Sequence, residues 1–304
     1  MENKFASINI LIVTYKQEEL IKRALDSILC QKEYGLNKIV ICDDCSPDGT
    51  WITIQNYLGK YPNYIDAYRN ESNLGIYGNF ERVLSLRGMA DLYHLISGDD
   101  ALCNGWFKAI QDFVSNNKYI LAQSAVILSD WKQITPCGKE SVFRQKIIEN
   151  KKIRPSTLKI RGMISLRSMM QTQSLINQQV PVDLSEGVSK AEKFFDYQPF
   201  QHADYAYYCP FVGSVYYSGI GVSTTSSSIE YRKEKIKANQ SFIDAYQLRR
   251  KDRFYILYRI ATDEYFISPA FSLYIKKVWY YLMSSDFRIG FSLKDFLRVL
   301  FNKK

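Results

Sequence analysis

Two pairs of adjacent aspartates are the residues in this chain best suited to chemistry. Asp99 and Asp100 follow Ser97 and Gly98, directly after an apolar run that predicts a buried strand. A hard cation such as Mg2+ or Mn2+ prefers oxygen ligands and commonly takes one or two carboxylates together with substrate phosphates. Paired aspartates are also common on protein surfaces, so this pair predicts a metal site only in combination with other signals.

The second pair, Asp43 and Asp44, stands at the end of another predicted strand. A carboxylate at this place could accept hydrogen bonds from a nucleobase N–H group or from ribose hydroxyls. The alternative is a structural role, because aspartates next to Ser46 and Asp48 are also typical of a turn or a helix N-cap.

A regular alternation of strands and helices over the first third of the chain must position these side chains. Short apolar runs predict four strands, at residues 8–13, 38–42, 65–68 and 92–96. Apolar residues at helical spacing follow these runs and predict amphipathic helices. The alternation predicts an α/β fold with a Rossmann-like, mostly parallel sheet flanked by helices.

Polar residues follow three of the predicted strands. Thr14 and Tyr15 come after the first, and the two aspartate pairs come after the second and the fourth. In an open parallel sheet, ligands bind outside the carboxyl ends of the strands. We therefore expect these side chains to converge on one crevice.

Composition limits the class of protein. The formal net charge of +9, together with 23 tyrosines and 17 phenylalanines, suits nucleic acid or an anionic membrane surface. No run of eighteen uncharged apolar residues occurs in the sequence, so no membrane-spanning helix is predicted. Six cysteines do not make a disulfide framework, and the short polar start is unlike a secretory signal, which predicts a reducing cytoplasm.

The end of the chain mixes aromatic, aliphatic and basic residues from residue 249 to residue 304. Helices of this composition could lie in a membrane interface, because their apolar faces insert while their basic residues meet anionic lipid. They could equally pack against the main domain or against a second subunit. Two segments before them, the basic residues 151–161 and the polar residues 223–228, are predicted to be solvated and linker-like respectively.

Five short blocks of sequence occur in order over about residues 7–113. They are residues 8–15 (INILIVTY), 24–31 (ALDSILCQ), 40–50 (VICDDCSPDGT), 73–75 (NLG) and 95–100 (LISGDD). In this order and approximate spacing they resemble the opening of the family 2 glycosyltransferases. Five ordered blocks are far more specific than any one of them. The resemblance implies a GT-A fold followed by a helical C-terminal region.

The same resemblance implies a set of binding residues. Those that would bind the nucleotide-sugar donor are Thr14, Tyr15, Asp43, Asp44, Asn73, Gly75 and Asp99. Asp100 and Asp99 would form the metal-binding element for Mn2+ or Mg2+, with Asp100 favoured as the direct ligand. Many members carry Asp-x-Asp-Asp where this chain has Ser-Gly-Asp-Asp, which puts one carboxylate of the usual set in question.

The resemblance also implies the reaction and its setting. Such enzymes transfer the sugar with inversion, most often from a UDP-sugar, and a basic enzyme attached peripherally to a membrane would suit a glycan or lipid-linked oligosaccharide acceptor in capsule, O-antigen or other surface-polysaccharide assembly. Residues 1–114 would then bind the nucleotide-sugar and residues 115–222 the acceptor. Residues 223–304 would form a helical extension that associates with a membrane or with a second copy in a homodimer.

An inverting transferase needs a carboxylate base within hydrogen-bond reach of the acceptor hydroxyl. Asp196 is the best candidate in the second half of the chain, with Glu192 and Asp204 as alternatives. His202 could complete the metal coordination or bind diphosphate, because imidazole is a good ligand for transition metals. His94 lies within the predicted fourth strand, where a core position is expected.

Other classes of protein fit the motifs less well. A nucleotidyltransferase would normally carry a glycine-rich phosphate loop near the N-terminus, and a dinucleotide-binding oxidoreductase needs G-x-G-x-x-G after the first strand; the sequence has neither. A non-catalytic module that binds nucleic acid or membrane would account for the net charge but has no need of two aspartate pairs at strand ends. No nucleic-acid partner is therefore expected, and the predicted location is the cytoplasm, with the inner face of the cell membrane as the site of any attachment.

Overall fold

The computed structural model describes residues 5–144, 166–179, 199, 201–220, 228–246 and 248–284, so the predicted segments at residues 151–161 and 223–227 lie outside the described part. The strands are β1 (Ile8–Thr14), β2 (Leu36–Asp43), β3 (Ile65–Arg69), β4 (Leu92–Ser97), β5 (Ala101–Leu102), β6 (Ala125–Ile134), β7 (Glu140–Phe143), β8 (Met169–Thr172) and β9 (Tyr205–Tyr217). The helices near them in sequence are α1 (Leu20–Leu29), α2 (Thr50–Lys60), α3 (Gly75–Ser85), α4 (Trp106–Ser115) and α5 (Gln173–Ile176).

These strands form one sheet in the order β3-β2-β1-β4-β8-β6-β9-β5, with β7 paired to β6. The first four strands pair in parallel, as the alternation of strands and helices predicts. Every residue of β1 is buried, because helices cover both faces of such a sheet and its strands are correspondingly apolar throughout.

The second half of the sheet mixes strand directions. The short strand β8 is antiparallel to both of its neighbours, β4 and β6. Strand β6 therefore runs in the same direction as β4, and β9 runs parallel to β6. The carboxyl ends of β1, β2, β4, β6 and β9 consequently lie along one edge of the sheet, which we call the carboxyl edge.

Helices α1 and α4 illustrate how sequence periodicity produces the core. The buried residues of α1 include Ile21, Leu25 and Ile28, which recur every three or four positions and so share one face. On α4, Trp106 and Ile110 are fully buried in the same core cluster. Both helices thus cover the sheet with an apolar face, and the turns at their ends carry the polar residues.

The chain divides into two compact units. The first contains the sheet and α1 to α5, and the second contains three helices, α6 (Ile229–Ala245), α7 (Arg250–Ile267) and α8 (Phe271–Ser284). Within the second unit, Arg232 of α6 makes an ion pair of 2.6 Å with Asp263 of α7. The domain boundaries at residues 114 and 222 stay predictions.

The predicted α/β fold with a helical C-terminal region is confirmed. All six cysteines are free thiols. Among the helices that the structure describes, none is both long and apolar enough to cross a bilayer.

Candidate functional site

Three strand ends meet at the carboxyl edge, as the positions of their polar residues predict. Thr14 of β1 pairs with Asp43 of β2, and Val13 pairs with Ser97 of β4. Beyond the strands, the Asp44 N–H donates to the Thr14 carbonyl at 2.9 Å, and a similar bond joins the turn after β4 to β1. The aspartate pairs are therefore held on the two sides of the end of β1.

Asp43 is completely buried and fixes the turn that follows β2. Its carboxylate accepts hydrogen bonds from the backbone N–H of Ser46 at 3.1 Å and from the Ser46 hydroxyl, and Arg69 Nε lies 3.3 Å away. Burial raises the pKa of this carboxyl, while Ser46 and Arg69 act in the opposite direction. Arg69 also donates to the Ser46 carbonyl at 2.8 Å, so one arginine clamps both ends of the turn.

Asp44 holds the loop that leads into α3. Its carboxylate accepts from the Asn70 amide at 2.9 Å and from the Leu74 N–H at 2.8 Å, and its carbonyl accepts from Asn73 Nδ2 at 3.3 Å. The Asn73 side chain accepts in turn from the N–H of Gly75, whose φ of +76° favours glycine. These contacts give Asp44, Asn73 and Gly75 a structural role in this loop, and their donor-binding role stays a prediction.

The turn after β4 packs tightly against β1 and α1. A Cβ atom on Gly98 would lie 2.5 Å from Gln17 Oε1 and 3.1 Å from Thr14 Oγ1, so only glycine fits without a shift of neighbouring atoms. Thr14 Oγ1 and Gln17 Oε1 are themselves buried, and neither has a hydrogen-bond partner among the residues that the structure describes. Tyr15, the next residue, is half-buried at the same edge.

Asp100 is the most unusual carboxylate at this edge. Its side chain is buried, with 5% of the residue surface exposed, and its Oδ1 atom has no hydrogen-bond partner in the part of the chain that the structure describes. Burial, with a further contribution from Asp99, raises its pKa to about 7, although Arg167, the Tyr217 N–H and Arg23 act to lower it. A buried carboxylate oxygen without a partner is costly, and a bound cation would satisfy it.

The residues at this position fit a divalent cation whose remaining ligands are oxygens of the substrate phosphates. Asp100 supplies the unpartnered oxygen, and the half-buried Asp99 stands next to it. In the part of the chain that the structure describes, no group of three or more His, Cys, Asp or Glu side chains is placed to hold a metal. Mg2+ and Mn2+ sites with one or two carboxylates plus phosphate oxygens need no larger protein group.

Two arginines and two tyrosines join the site from segments that sequence reasoning did not single out. Arg167 lies with Nε 3.6 Å from Asp100 Oδ2 and its guanidinium 3.8 Å from the centre of the Tyr216 ring. Arg23 donates to the Asp99 carbonyl at 2.6 Å, and its guanidinium lies 3.4 Å from the centre of the Tyr217 ring. The sequence signals for these residues were weak, because Arg23 lies in an amphipathic helix and the tyrosine pair lies in a strand rich in tyrosine.

His202 and Asp204 lie at the opposite edge of the sheet from Asp100. They immediately precede β9, which begins at Tyr205, whereas Ala101 pairs with Val215 near the other end of that strand. The Asp204 N–H donates to the Ser124 carbonyl at 2.6 Å, just before β6 begins. The structure therefore does not bring His202 to the predicted metal carboxylates, because the length of β9 separates them. Asp196 and Glu192 lie outside the described residues.

His94 occupies the core, as its place in a strand predicts. Its Nδ1 atom lies 2.9 Å from the Met169 carbonyl, and its ring meets Trp106 edge-on at 4.7 Å. Complete burial lowers its pKa to about 4. His94 is therefore neutral at physiological pH and plays no part in the carboxyl edge.

Comparison with known proteins gives this edge a context. Residues 9–177 match the model of a family described as Glycosyl transferase family 2, and they are more than half of the chain. The chain belongs to glycosyltransferase family 2. The family assigned from the five sequence blocks is thereby confirmed, and the carboxyl edge of the sheet is the candidate active site of this chain.

Individual relatives agree with the family. An abequosyltransferase of Salmonella typhimurium is 32% identical over 127 residues, which are 41% of this chain and 36% of that protein. The chain spans 27% to 37% of the length of the curated relatives that it matches.

Solved structures share the GT-A-like fold. The structure of S. aureus TarS in complex with UDP has a TM-score of 0.59 and 16% identity, covering 89% of this chain and 75% of TarS. The mannosyltransferase PcManGT of Pyrobaculum calidifontis, in complex with GDP-Man and Mn2+, has a TM-score of 0.54 and 12% identity, covering 92% and 73%. At these identities the likeness shows the fold alone.

Proposed function

We propose that this chain transfers a sugar with inversion from a nucleotide-diphosphate donor, foremost a UDP-sugar, to a hydroxyl of a glycan or lipid-linked oligosaccharide in surface-polysaccharide assembly. The observation that carries the proposal is the buried Oδ1 of Asp100 at the carboxyl edge, which has no hydrogen-bond partner among the described residues. The donors in related structures support it, since TarS binds UDP and UDP-GlcNAc and PcManGT binds GDP-Man with Mn2+.

Asp100 is the proposed direct ligand of Mn2+ or Mg2+, and Asp99 the neighbouring carboxylate. A divalent cation held there would stabilise the negative charge that develops on the leaving diphosphate. Arg23 fixes the backbone between β4 and β5 through the Asp99 carbonyl, so the two aspartates are positioned before any ligand arrives.

The nucleoside is proposed to bind where β1 and β2 end. Thr14 Oγ1 is a buried hydroxyl without a hydrogen-bond partner in the described ranges, and Tyr15 offers an aromatic ring beside it. Asp43 can take part only by adding a nucleobase contact to those it already makes with Ser46 and Arg69. Its fixed orientation would favour one geometry of the base over others.

The base that deprotonates the acceptor is proposed to be Asp196, with Glu192 as the alternative. Asp204, the third candidate in the sequence, lies beyond the opposite edge of the sheet from Asp100. We expect Asp196→Asn to retain binding of the nucleoside diphosphate while losing transfer, because the base acts only after the donor is bound. Equal loss of binding and transfer would contradict this role.

Attachment to a membrane is proposed through α8. Phe271, Ile275 and Trp279 are exposed and recur every four residues, so they form one apolar stripe along the helix. An amphipathic helix of this kind can lie in the interface of the inner face of a cell membrane, where a lipid-linked acceptor would be found. A homodimer through the same stripe is the alternative outcome, and sedimentation with and without vesicles separates the two.

The experiment that tests the function is a thermal-shift panel of UDP, GDP, CMP and ADP, each with and without Mn2+. A ligand that binds the native state raises its apparent stability by mass action. We expect one nucleoside diphosphate to stabilise the protein only with metal, and Asp100→Asn to lose that response. Asp112→Asn is the matched control, because Asp112 is exposed and its side chain pairs only with Lys108 among the described contacts.

Absence of any nucleotide response in the native protein would contradict the proposed function. A metal-independent response of equal size in Asp100→Asn would contradict the assignment of Asp100 alone. Salt-sensitive binding of RNA or DNA that survives the substitution would instead support the non-catalytic alternative.

A further inference from the structure

Part of the sheet extends past the carboxyl edge as a ribbon of three strands. Ile127 of β6 and His94 of β4 both pair with Met170 of β8, so they lie at the same level. From there β4 ends at Ser97, whereas β6 continues to Ile134, on the order of 10 Å further. β7 pairs with this last part of β6 on one side, and the end of β9 pairs with it on the other.

One face of this ribbon carries a row of stacked side chains. Phe143 of β7 and Trp131 of β6 lie directly opposite each other, and their rings stack at 4.1 Å with an angle of 7° between them. Tyr216 of β9 meets Trp131 at 6.3 Å. The Arg167 guanidinium lies 5.7 Å from the centre of the Trp131 ring and 3.8 Å from that of Tyr216. The row therefore leads from Phe143, on the outer strand, to Arg167, whose Nε lies 3.6 Å from Asp100 Oδ2.

Phe143 presents a flat apolar surface to solvent. The residue is 41% exposed, and Trp131 covers one face of its ring, so the exposed part is the other face and the ring edge. Trp131 also fixes the ring from behind, which lowers the entropic cost of binding a ligand on it. The C–H groups on one face of a pyranose ring are apolar and pack well on such a surface, whereas its hydroxyl groups need hydrogen-bond partners nearby.

Two polar side chains beside Phe143 offer such partners. Ser141 of β7 and Gln133 of β6 lie opposite each other, two positions along from the aromatic pair and so on the same face of the ribbon. Both are half-buried, and neither side chain makes a hydrogen bond within the described part of the chain. A serine hydroxyl and a glutamine amide can each donate and accept, as sugar hydroxyls can. On the other face, Lys132 and Glu140 are paired with each other at 3.2 Å.

The place of the ribbon in the sheet distinguishes the acceptor from the donor as the ligand of this face. The nucleoside is proposed to bind at the ends of β1 and β2, which lie on the other side of β4 from β6 and β9. Trp131 and Arg167 stand between Phe143 and Asp100. A sugar packed on Phe143 is therefore distant both from the nucleoside and from the place where the donor would react.

We propose that the outer face of Phe143, together with Gln133 and Ser141, binds a sugar unit of the acceptor other than the one that carries the reacting hydroxyl. The inference rests on the proposed function and deepens it, because it makes the acceptor a glycan of more than one sugar. Binding of such a remote unit would help to orient the reacting hydroxyl at the other end of the acceptor.

The experiment is saturation-transfer difference NMR on the full chain. The probes are the methyl glycosides of glucose, galactose, mannose, rhamnose and N-acetylglucosamine, each titrated separately. We expect at least one to bind, with the strongest saturation at the C–H protons of one face of its ring. In Phe143→Ala its dissociation constant should rise roughly tenfold, because the aromatic contact area is lost. In Gln133→Ala it should rise roughly threefold to tenfold, because a hydrogen bond is lost.

Val142→Ala is the matched control. Val142 is the neighbour of Phe143 on β7 and is 52% exposed, but its side chain points to the other face of the ribbon. This variant should bind the glycoside with native affinity. Mn2+ and UDP or GDP should also leave the affinity unchanged, because Phe143 is separated from Asp100. A large effect of these ligands would place the sugar at the reacting position and overturn the assignment.

The outcomes separate this inference from the function on which it rests. If no nucleotide shifts the melting temperature of the native protein, the proposed function fails, and the titrations still decide whether Phe143 contacts a sugar. If the native protein responds to a nucleoside diphosphate with Mn2+ but binds none of the glycosides, the inference alone is overturned. Native affinity in both Phe143→Ala and Gln133→Ala, or equal weakening in Phe143→Ala and Val142→Ala, would overturn it as well.

Discussion

Replacing Asp100 with asparagine should make the metal-free protein more stable at neutral pH, although it removes the proposed metal ligand. The carboxylate is buried, one of its oxygens has no partner within the described part of the chain, and its pKa is raised from 3.8 to about 7. A raised pKa means that the folded state holds a proton that the unfolded state has already released. Above pH 4, burial of the charged Asp100 carboxylate therefore lowers the free energy of unfolding of the native protein. An uncharged amide of the same shape removes this penalty.

The size of the effect follows from the same pKa. A rise from 3.8 to about 7 corresponds to roughly 4 kcal/mol at pH values above 7, as an upper limit. The amide introduces an N–H group of its own that needs a partner, so we expect a gain of roughly 2 kcal/mol for Asp100→Asn. The penalty is absent below the unfolded pKa, grows as the pH rises from about 4 to about 7, and is constant above that range.

The assay is urea denaturation of the native protein and Asp100→Asn in the presence of a chelator at several pH values from 4.5 to 8. The difference in unfolding free energy should increase with pH and level off near pH 7. Other titrating groups such as His94 are present in both proteins, so they cancel in the difference. Asp112→Asn, at an exposed position, should show no comparable dependence on pH.

A second measurement, with ligands present, should find the native protein and Asp100→Asn in the opposite order of stability. With Mn2+ and the nucleoside diphosphate that stabilises the native protein, the native protein should gain stability by mass action and Asp100→Asn should not. The reasoning would be refuted if Asp100→Asn were less stable than the native protein at pH 8 without metal. A stability difference that did not change between pH 4.5 and 8 would refute it as well, because the burial of a titrating carboxylate could not be its cause.

Three further predictions concern packing, acid stability and the membrane. Gly98→Ala should destabilise the fold by roughly 1–3 kcal/mol in urea denaturation, because its Cβ would lie 2.5 Å from Gln17 Oε1 and 2.9 Å from Ile21 Cδ1. The control Gly59→Ala in α2, where nothing lies within 4 Å of the added Cβ, should be neutral or stabilising. Burial lowers the pKa of His94 from 6.5 to about 4, so the free energy of unfolding is retained above pH 6.5 and falls by roughly 2 kcal/mol between pH 7 and pH 5. His94→Phe should lose this part of the pH dependence, and an unchanged slope would contradict the assignment. Trp279→Glu should reduce flotation with anionic vesicles without lowering the melting temperature, since the Trp279 side chain is 55% exposed. Equal flotation of the variant and the native protein would exclude the α8 stripe as the membrane contact.

The sequence alone determined the first half of the fold and the place of the aspartate pairs. The strands were readable because a strand buried on both faces needs a run of apolar residues, and each predicted run from Ile8 to Ile96 became one. Parallel strands joined by helices have their carboxyl ends at one edge, so residues directly after β1, β2 and β4 had to come together. The relation between Thr14, Asp43 and Asp99 was therefore predictable from local pattern and topology.

The side chains that surround those aspartates could be identified only from the three-dimensional structure. Arg23 and Arg167 contact Asp99 and Asp100 although they are distant from them in the sequence. Arg23 does so because α1 packs beside β5, and Arg167 does so because the chain reaches the carboxyl edge again just before β8. Nothing in local periodicity predicts an inserted antiparallel strand or the order of the later strands. The same order moved His202, which the sequence placed with the metal ligands, to the far edge of the sheet. Residue type and spacing thus identified the carboxylates. The partners that set the charge of these carboxylates come from distant segments, and a sequence pattern does not contain contacts of that kind.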